Sequence, residues 1–224
     1  KGHPYMIQFD STHYKGQNVA RLSRGLESKA KLDSLGRPMR YKADEQLSVK
    51  GLFVESFTDS HKVLIQDSVL FTREKLITTS HHAVYHTKKE ILEIEGHPVA
   101  TYEKSKMVGD SMVVKFRERE IRSIAIKGNA VASSDADSAG SKTNRLRAKH
   151  ILMTIKDKKL STMEARGNAY NLYYLETREG VNEISGPGIM LYFNERGRLN
   201  NFKVLGGTEG TYYPEKFENQ AGKN

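Results

Sequence analysis

Three matched glycine steps constrain this chain more than any other feature. They stand at Gly128-Asn129-Ala130, Gly167-Asn168-Ala169 and Gly206-Gly207-Thr208, at a constant spacing of 39 residues. Upstream of each, apolar residues occupy corresponding places: Ile121, Ile124 and Ile126; Leu160, Met163 and Ala165; Leu199, Phe202 and Val204. Each of these segments follows another with its own alternation: Met112, Val114 and Phe116 after Gly109; Ile151, Met153 and Ile155 after Ala148; Ile189, Leu191 and Phe193 after Gly186. Alternation of this kind marks half-buried strands, so the unit is a strand, a tight turn and a strand. A fixed period means that no single unit buries its apolar face alone and that stacking supplies the core. Function is expected to lie in the stack.

The remaining chain fits the same reading. Leu47, Val49 and Gly51 preview the glycine strand, and Val63 with Ile65, Val69 with Phe71, and Leu76 with Thr78 follow in alternation. Ser80 occupies the slot that Ala148 and Gly186 hold later, and Ala83 and Tyr85 lead to a further glycine strand at Leu92, Ile94, Gly96 and Pro98. Proline cannot donate to a ladder, so Pro98 belongs at an edge or a strand end. About a dozen strands are expected, with little helix. The first forty residues are poorly readable: a hairpin turning at Asp33-Ser34-Leu35-Gly36-Arg37-Pro38 competes with a short helix over residues 17–28. Ser133 to Asn144 and Leu175 to Asn182 read as surface loops leaving one end of the stack, and residues 214–224 as a polar tail. The stack itself spans 41–213.

Charge narrows the choice of partner without making it. Charged residues are 28% of the 224, and the net charge of +9 suits an anionic partner such as nucleic acid, membrane head groups or a phosphorylated glycolipid. Absence of cysteine removes disulfides, thiolate chemistry and cysteine-ligated metal centres. No apolar run approaches the roughly 18 residues of a membrane-spanning helix.

Strands carrying Gly109-Asp110 and Ala148-Lys149, followed by apolar-x-apolar-x-Gly-Asn-small at Ile124 to Ala130 and Met163 to Ala169, resemble the OstA-like family of lipopolysaccharide transport, which includes LptA and the periplasmic domains of LptC and LptD. The resemblance is clear over 79–213 and weaker over 37–78, where Gly36 to Asp44 is similar to the opening of an LptC-type domain. It implies an all-β, antiparallel β-jellyroll, a folded-over two-sheet stack with an apolar groove between its sheets. It also implies a periplasmic chain, its signal peptide removed, that binds lipopolysaccharide or a related glycolipid and joins other Lpt-type envelope proteins, or its own copies head to tail, through edge strands. No cofactor is implied. Gly206-Gly207 lacks the asparagine and Lys149 replaces an acid, which leaves the subtype open.

On that reading the acyl chains are expected against Met112, Val114, Phe116, Ile124, Ile126, Ile151, Met153, Ile155, Met163, Ile189, Leu191, Phe193, Phe202 and Val204, with Tyr85 and Ile94 on the same register. An ordinary sandwich core would show the same alternation, and Val113, Leu152 and Met190 make the opposite face partly apolar too. Lys115, Arg117, Arg119, Lys127, Arg145, Arg147, Lys149, Arg166, Arg196 and Arg198 can meet phosphates by charge-assisted hydrogen bonds, or simply solvate the outer faces.

Other chemistry finds little support. His81, His82 and His86 lack a spaced third ligand for a metal, Gly140-Ser141-Lys142-Thr143 lacks the earlier glycine of a phosphate loop, and Asp135 and Asp137 lack the rest of a calcium loop. No serine elbow is present, and Glu93 and Glu95 share a strand face that reads as exposed. The expectation is therefore a carrier and not an enzyme. A basic nucleic-acid-binding β protein and a carbohydrate-active β-solenoid stand as alternatives, the former weakened by the absence of tryptophan.

Overall fold

The alternating segments form sixteen strands of one antiparallel sheet in a computed structural model that describes residues 5–14, 17–24, 47–118, 120–137, 139–175 and 180–223. In chain order these are β1 (Tyr5–Tyr14), β2 (Gln17–Arg24), β3 (Leu47–Gly51), β4 (Phe53–Phe57), β5 (Lys62–Arg73), β6 (Leu76–His86), β7 (Ile91–Glu95) and β8 (Val99–Tyr102). There follow β9 (Ser105–Val108), β10 (Ser111–Arg117), β11 (Glu120–Asp135), β12 (Thr143–Lys156), β13 (Lys159–Tyr174), β14 (Val181–Phe193), β15 (Leu199–Leu205) and β16 (Glu209–Tyr213). Residues 17–24 are strand and not helix, while the turn expected at 33–38 lies outside the described residues.

The sheet folds over itself to make a β-jellyroll. Each long strand changes partners midway. Residues 62–66 of β5 pair with β4 and with 82–86 of β6, whereas 70–73 pair with β3 and 69–73 with 76–80. The same division separates 120–127 from 130–135 in β11 and carries on through β12, β13 and β14. Two leaves result. Leaf one holds β4, β7, β10 and β15 with one half of each long strand; leaf two holds β1, β2, β3, β8, β9 and β16 with the other half. The expected dozen became sixteen because several crossings break at the bend while others run through it, and Pro98 sits in one such break, just before β8.

The bend is written in backbone torsions. Register shifts fall at 66/69, 127/130 and 166/169, where Asp67 and Ser68, Gly128 and Asn129, and Gly167 and Asn168 all have positive φ. Left-handed residues inserted into a ladder act as a bulge that turns the strand, and glycine, asparagine and aspartate take that conformation at the lowest cost. The neighbouring strand supplies room. A Cβ added at Gly109 would lie 2.5 Å from Ile126 Cγ2, and one at Gly128 would collide with the Asp110 carboxylate. Asp110 in turn accepts from Asn129 Nδ2 at 3.2 Å on both oxygens, and its own N–H donates to the carbonyls of Lys127 (3.0 Å) and Gly128 (2.9 Å). The Gly-Asp step and the Gly-Asn step of the repeat are thus two halves of one corner.

Inward-facing residues from both leaves make one contiguous core that runs from Leu47 to Leu191. Near the corner, where the leaves converge, they are small: Ala130, Ala148 and Ala169. Toward the open side they become aromatic. Phe71 of leaf two lies 6.1 Å from Phe116 and 6.2 Å from Tyr85 of leaf one, and Tyr85 meets Phe116 edge to face at 6.1 Å. The polar tail is docked: after a short 3-10 helix (Glu215–Gln220), Glu218 pairs with Lys142, and the Gly222 N–H donates to Glu183 Oε2 at 3.2 Å. Lys142 lies in the loop between β11 and β12, which is shorter than expected because residues 133–135 and 143–144 are strand, and Tyr174 N–H donates to Asn144 Oδ1 at 2.9 Å; residues 176–179 of the second expected loop lie outside the described residues.

Gly128→Ala should lower stability to urea by about 1–3 kcal/mol, because it adds a Cβ to a left-handed residue facing a packed neighbour. Gly207→Ala, which meets nothing within 4 Å and has no positive φ, should stay within about 0.5 kcal/mol of the parent.

Candidate functional site

All the lining residues named from the sequence fall on the inner face of leaf one. They form two straight rows across the strands: Met112, Ile126, Ile151, Ala165, Ile189 and Val204; and Val114, Ile124, Met153, Met163, Leu191 and Phe202. Phe116, Ile155 and Phe193 form a third, at the open rim. Val113, Leu152 and Met190 face outward, so the apolar register runs unbroken across the repeats. Lys127 and Lys156, on the opposite parity, are exposed.

Leaf two completes the interior with residues that alternation upstream of the glycines does not reveal. One row runs Val49, Phe71, Thr78, Ala100, Met107, Ala132, Leu146, Asn171 and Ile184. Ala100, Ala132 and Thr78 mute its hydrophobic pattern; the signal that could have disclosed it is in β12, where the parity changes at the corner, from Leu146 and Ala148 to Ile151 and Met153 across exposed Lys149 and His150.

Burial is uneven along the stack. Met112, Val114, Ile124, Ile126 and Met153 are fully buried. At the C-terminal end the cover thins: Phe193 and Val204 are only partly buried and Phe202 is 39% exposed. There, among the described residues, β15 and β16 each pair on one side alone, with β14, and Leu205 and Tyr212 are also exposed.

Contacts between the leaves close the open side away from that end. The Tyr102 O–H, from leaf two, donates to the carbonyl of Lys158 at 3.1 Å, in the turn between β12 and β13. Burial, and then the charges of Glu103 and Glu74, push this phenol well above its ordinary value near 10. The guanidinium of Arg73, also from leaf two, stands 4.9 Å from the ring centre of Phe116.

Unlike Arg73, the described basic residues named from the sequence stay on the outside. Lys106, Arg145 and Arg147 surround Val108 and Val131 in a hollow of about 300 Å³ on the outer face of leaf two. Arg147 also stacks on Tyr170 at 4.4 Å, and the Tyr170 O–H donates to Glu183 at 2.9 Å; burial and that acid raise the phenol to about 12. Arg166 Nε donates to Glu164 at 2.6 Å, and Lys115, Arg117, Arg196 and Arg198 are exposed. Arg119 lies outside the described residues. Among the described residues no group of three or more histidines and acids could hold a metal, and no helix is long and apolar enough to cross a membrane.

No family model and no curated protein matches the chain. Among solved structures it is similar to LptH, the LptA-homologous periplasmic component of the conserved lipopolysaccharide transport device from Pseudomonas aeruginosa, at 13% identity and a TM-score of 0.49, over 62% of this chain and 95% of that one.

Tyr102→Phe should cost about 0.5–1.5 kcal/mol by removing the bond between the leaves. Because the folded phenol is raised, its contribution is fully present below pH 10 and is lost as the pH climbs past the unfolded value. Urea denaturation from pH 8 to 12 should therefore show an alkaline decline that begins near pH 10 and is shallower in Tyr102→Phe.

Proposed function

We propose that this chain is a periplasmic lipid carrier of the lipopolysaccharide-transport type, holding acyl chains between its leaves and joining other chains through its edge strands. The observation that carries the reading is the continuous apolar interior: an unbroken strip of large side chains on leaf one, covered in the middle and partly bare where the stack ends. The sequence resemblance to OstA-like proteins supports it independently.

The energetics suit such a role. A 12-carbon chain represents roughly 9–10 kcal/mol of burial at about 0.8 kcal/mol per methylene, so glycolipids with several chains scarcely cross water unaided. A chain entering between the leaves exchanges contacts between side chains for contacts between side chains and methylenes. Apolar surface stays dry before and after, and the cost is confined to the few cross-leaf contacts at the rim. Methionines at 112, 153 and 163 suit this exchange, since an unbranched thioether refills irregular space readily. Lys115, Lys127 and Arg145 on the outer faces can meet phosphate groups outside the interior.

The ends suit assembly. Among the described residues β15 and β16 pair on one side alone, which leaves a sheet edge beside exposed Phe202, Leu205 and Tyr212. Another chain adding strands there would extend both leaves and carry the apolar strip across the junction.

A photo-crosslinker at Ile155 or Leu191 should capture lipopolysaccharide or a related glycolipid in cells that make it, while one at Lys156 or Tyr192 should not. Leu191→Asp should abolish capture, since an unpaired carboxylate opposes an apolar ligand, and the loss counts only in protein that still unfolds cooperatively on heating. Equal capture from both parities, or none, would remove the reading. Small-angle scattering at rising concentration, alone and with envelope partners, should reveal rod-like growth or end capping. A compact monomer throughout would count against assembly through the edges.

A further inference from the structure

Two polar atoms inside the jellyroll have no hydrogen-bond partner: Arg73 Nε and Thr78 Oγ1. Arg73 is 5% exposed and Thr78 is fully buried. Both face inward from leaf two, on adjacent strands. Arg73 continues the inward register of Val69 and Phe71 at the end of β5, and it pairs with Leu76, two residues before Thr78 on β6. Diagonal neighbours on one sheet face have Cβ atoms about 7–8 Å apart, so one group of phosphate size can reach both side chains. Among the described residues no carboxylate forms an ion pair with Arg73, and its charge rests against the face of Phe116.

This is a costly place for a cation. A buried guanidinium whose Nε–H has no acceptor gives up hydration there, and an aromatic face returns only part of it. A residue of Arg73's length on a sheet rim could reach solvent, yet its inward register holds it over Phe71, Tyr85 and Phe116, the aromatic cluster where the two leaves meet. Charge with unused donor capacity, a hydroxyl without a partner and an apolar floor together match one ligand chemistry. That ligand is an amphiphile with an anionic oxygen head and an apolar chain.

We propose that Arg73 and Thr78 form the head-group subsite of the groove, with Arg73 donating to the phosphate of a phosphorylated amphiphile whose chain lies against Phe71, Tyr85 and Phe116. The subsite rests on the lipid-carrier reading and adds selectivity to it. In the free protein Phe116 holds the guanidinium. When the leaves part, the phosphate replaces that ring as its partner and satisfies the Thr78 hydroxyl, so binding relieves a defect already present.

The test compares dodecyl phosphate with dodecyl maltoside, each below its critical micelle concentration, on the whole chain by calorimetry. The parent should prefer the phosphate by about ten- to a hundred-fold, the range expected for charge-assisted hydrogen bonds. Arg73→Met should bind both amphiphiles alike, and Arg73→Lys should keep part of the preference. Arg73→Met should also unfold at the same temperature as the parent or higher, because it removes an unpaired buried charge. A purely structural arginine would destabilise the variant and leave the preference untouched, which would overturn the assignment while the groove stands. Absence of preference in the parent would do the same. If neither amphiphile binds the parent, the carrier reading falls and the subsite with it. Inorganic phosphate that displaces dodecyl phosphate would reassign the site to a free anion; failure to displace it ties recognition to the attached chain.

Discussion

Everything in this structure depends on a strand turning a corner without losing its ladder. A flat antiparallel sheet of these segments would leave one apolar face in water, since the alternation makes each strand half apolar. The left-handed residues at 67–68, 128–129 and 167–168 let a strand reverse the side on which its sheet continues, so that a single sheet closes on itself. The corner needs two complementary features: a strand that can bend, and a neighbour with little side chain at the inside of the bend. Gly109, Ala148 and Gly186 provide the second. Where Asp110 faces Gly128 and Asn129, side-chain and backbone hydrogen bonds fasten the two halves.

From the corner outward the interior widens, and residue size follows. Alanines give way to isoleucine and methionine, then to Phe71, Tyr85, Phe116 and Tyr102. Such a taper is what two leaves diverging from a hinge require if interior packing is to stay dense. It also concentrates the contacts that hold the leaves together at the rim, where aromatic rings, one phenol and one arginine meet. The middle of the stack is then stiff and dry, and the rim is where a modest number of contacts decides whether the interior opens.

The end of the stack differs from its middle because stacking has no natural stop. Every internal strand is covered on both edges, and its side chains are covered by the opposite leaf. Among the described residues the strands β15 and β16 have a neighbour on one side only, and the apolar strip reaches them regardless. Exposure of Phe202 follows from that geometry, since its register is the same as that of buried Leu191 and Met163. A repeat architecture thereby links its interior to its ends: whatever occupies the one is continuous with whatever covers the other.

The sequence by itself determined the all-β class, the strand-turn-strand unit and the inward register of Met112, Val114, Ile124, Ile126, Ile151, Met153, Ile189 and Leu191, because period-two alternation is a local property that survives any arrangement of the strands. It also marked the corners as glycine and asparagine steps without saying that strands pass through them. Only the tertiary structure decided that the sheet folds at those steps, since a bend depends on two chain segments meeting, Gly109-Asp110 with Gly128-Asn129, that lie far apart in sequence. Leaf two was hidden for a related reason: small residues near a corner pack well only against a converging partner, and hydropathy alone does not register them. Arg73 shows the limit most clearly. An arginine at a strand end reads as a surface charge, and only the opposite leaf, carrying Phe116 over it, turns the same residue into an interior one.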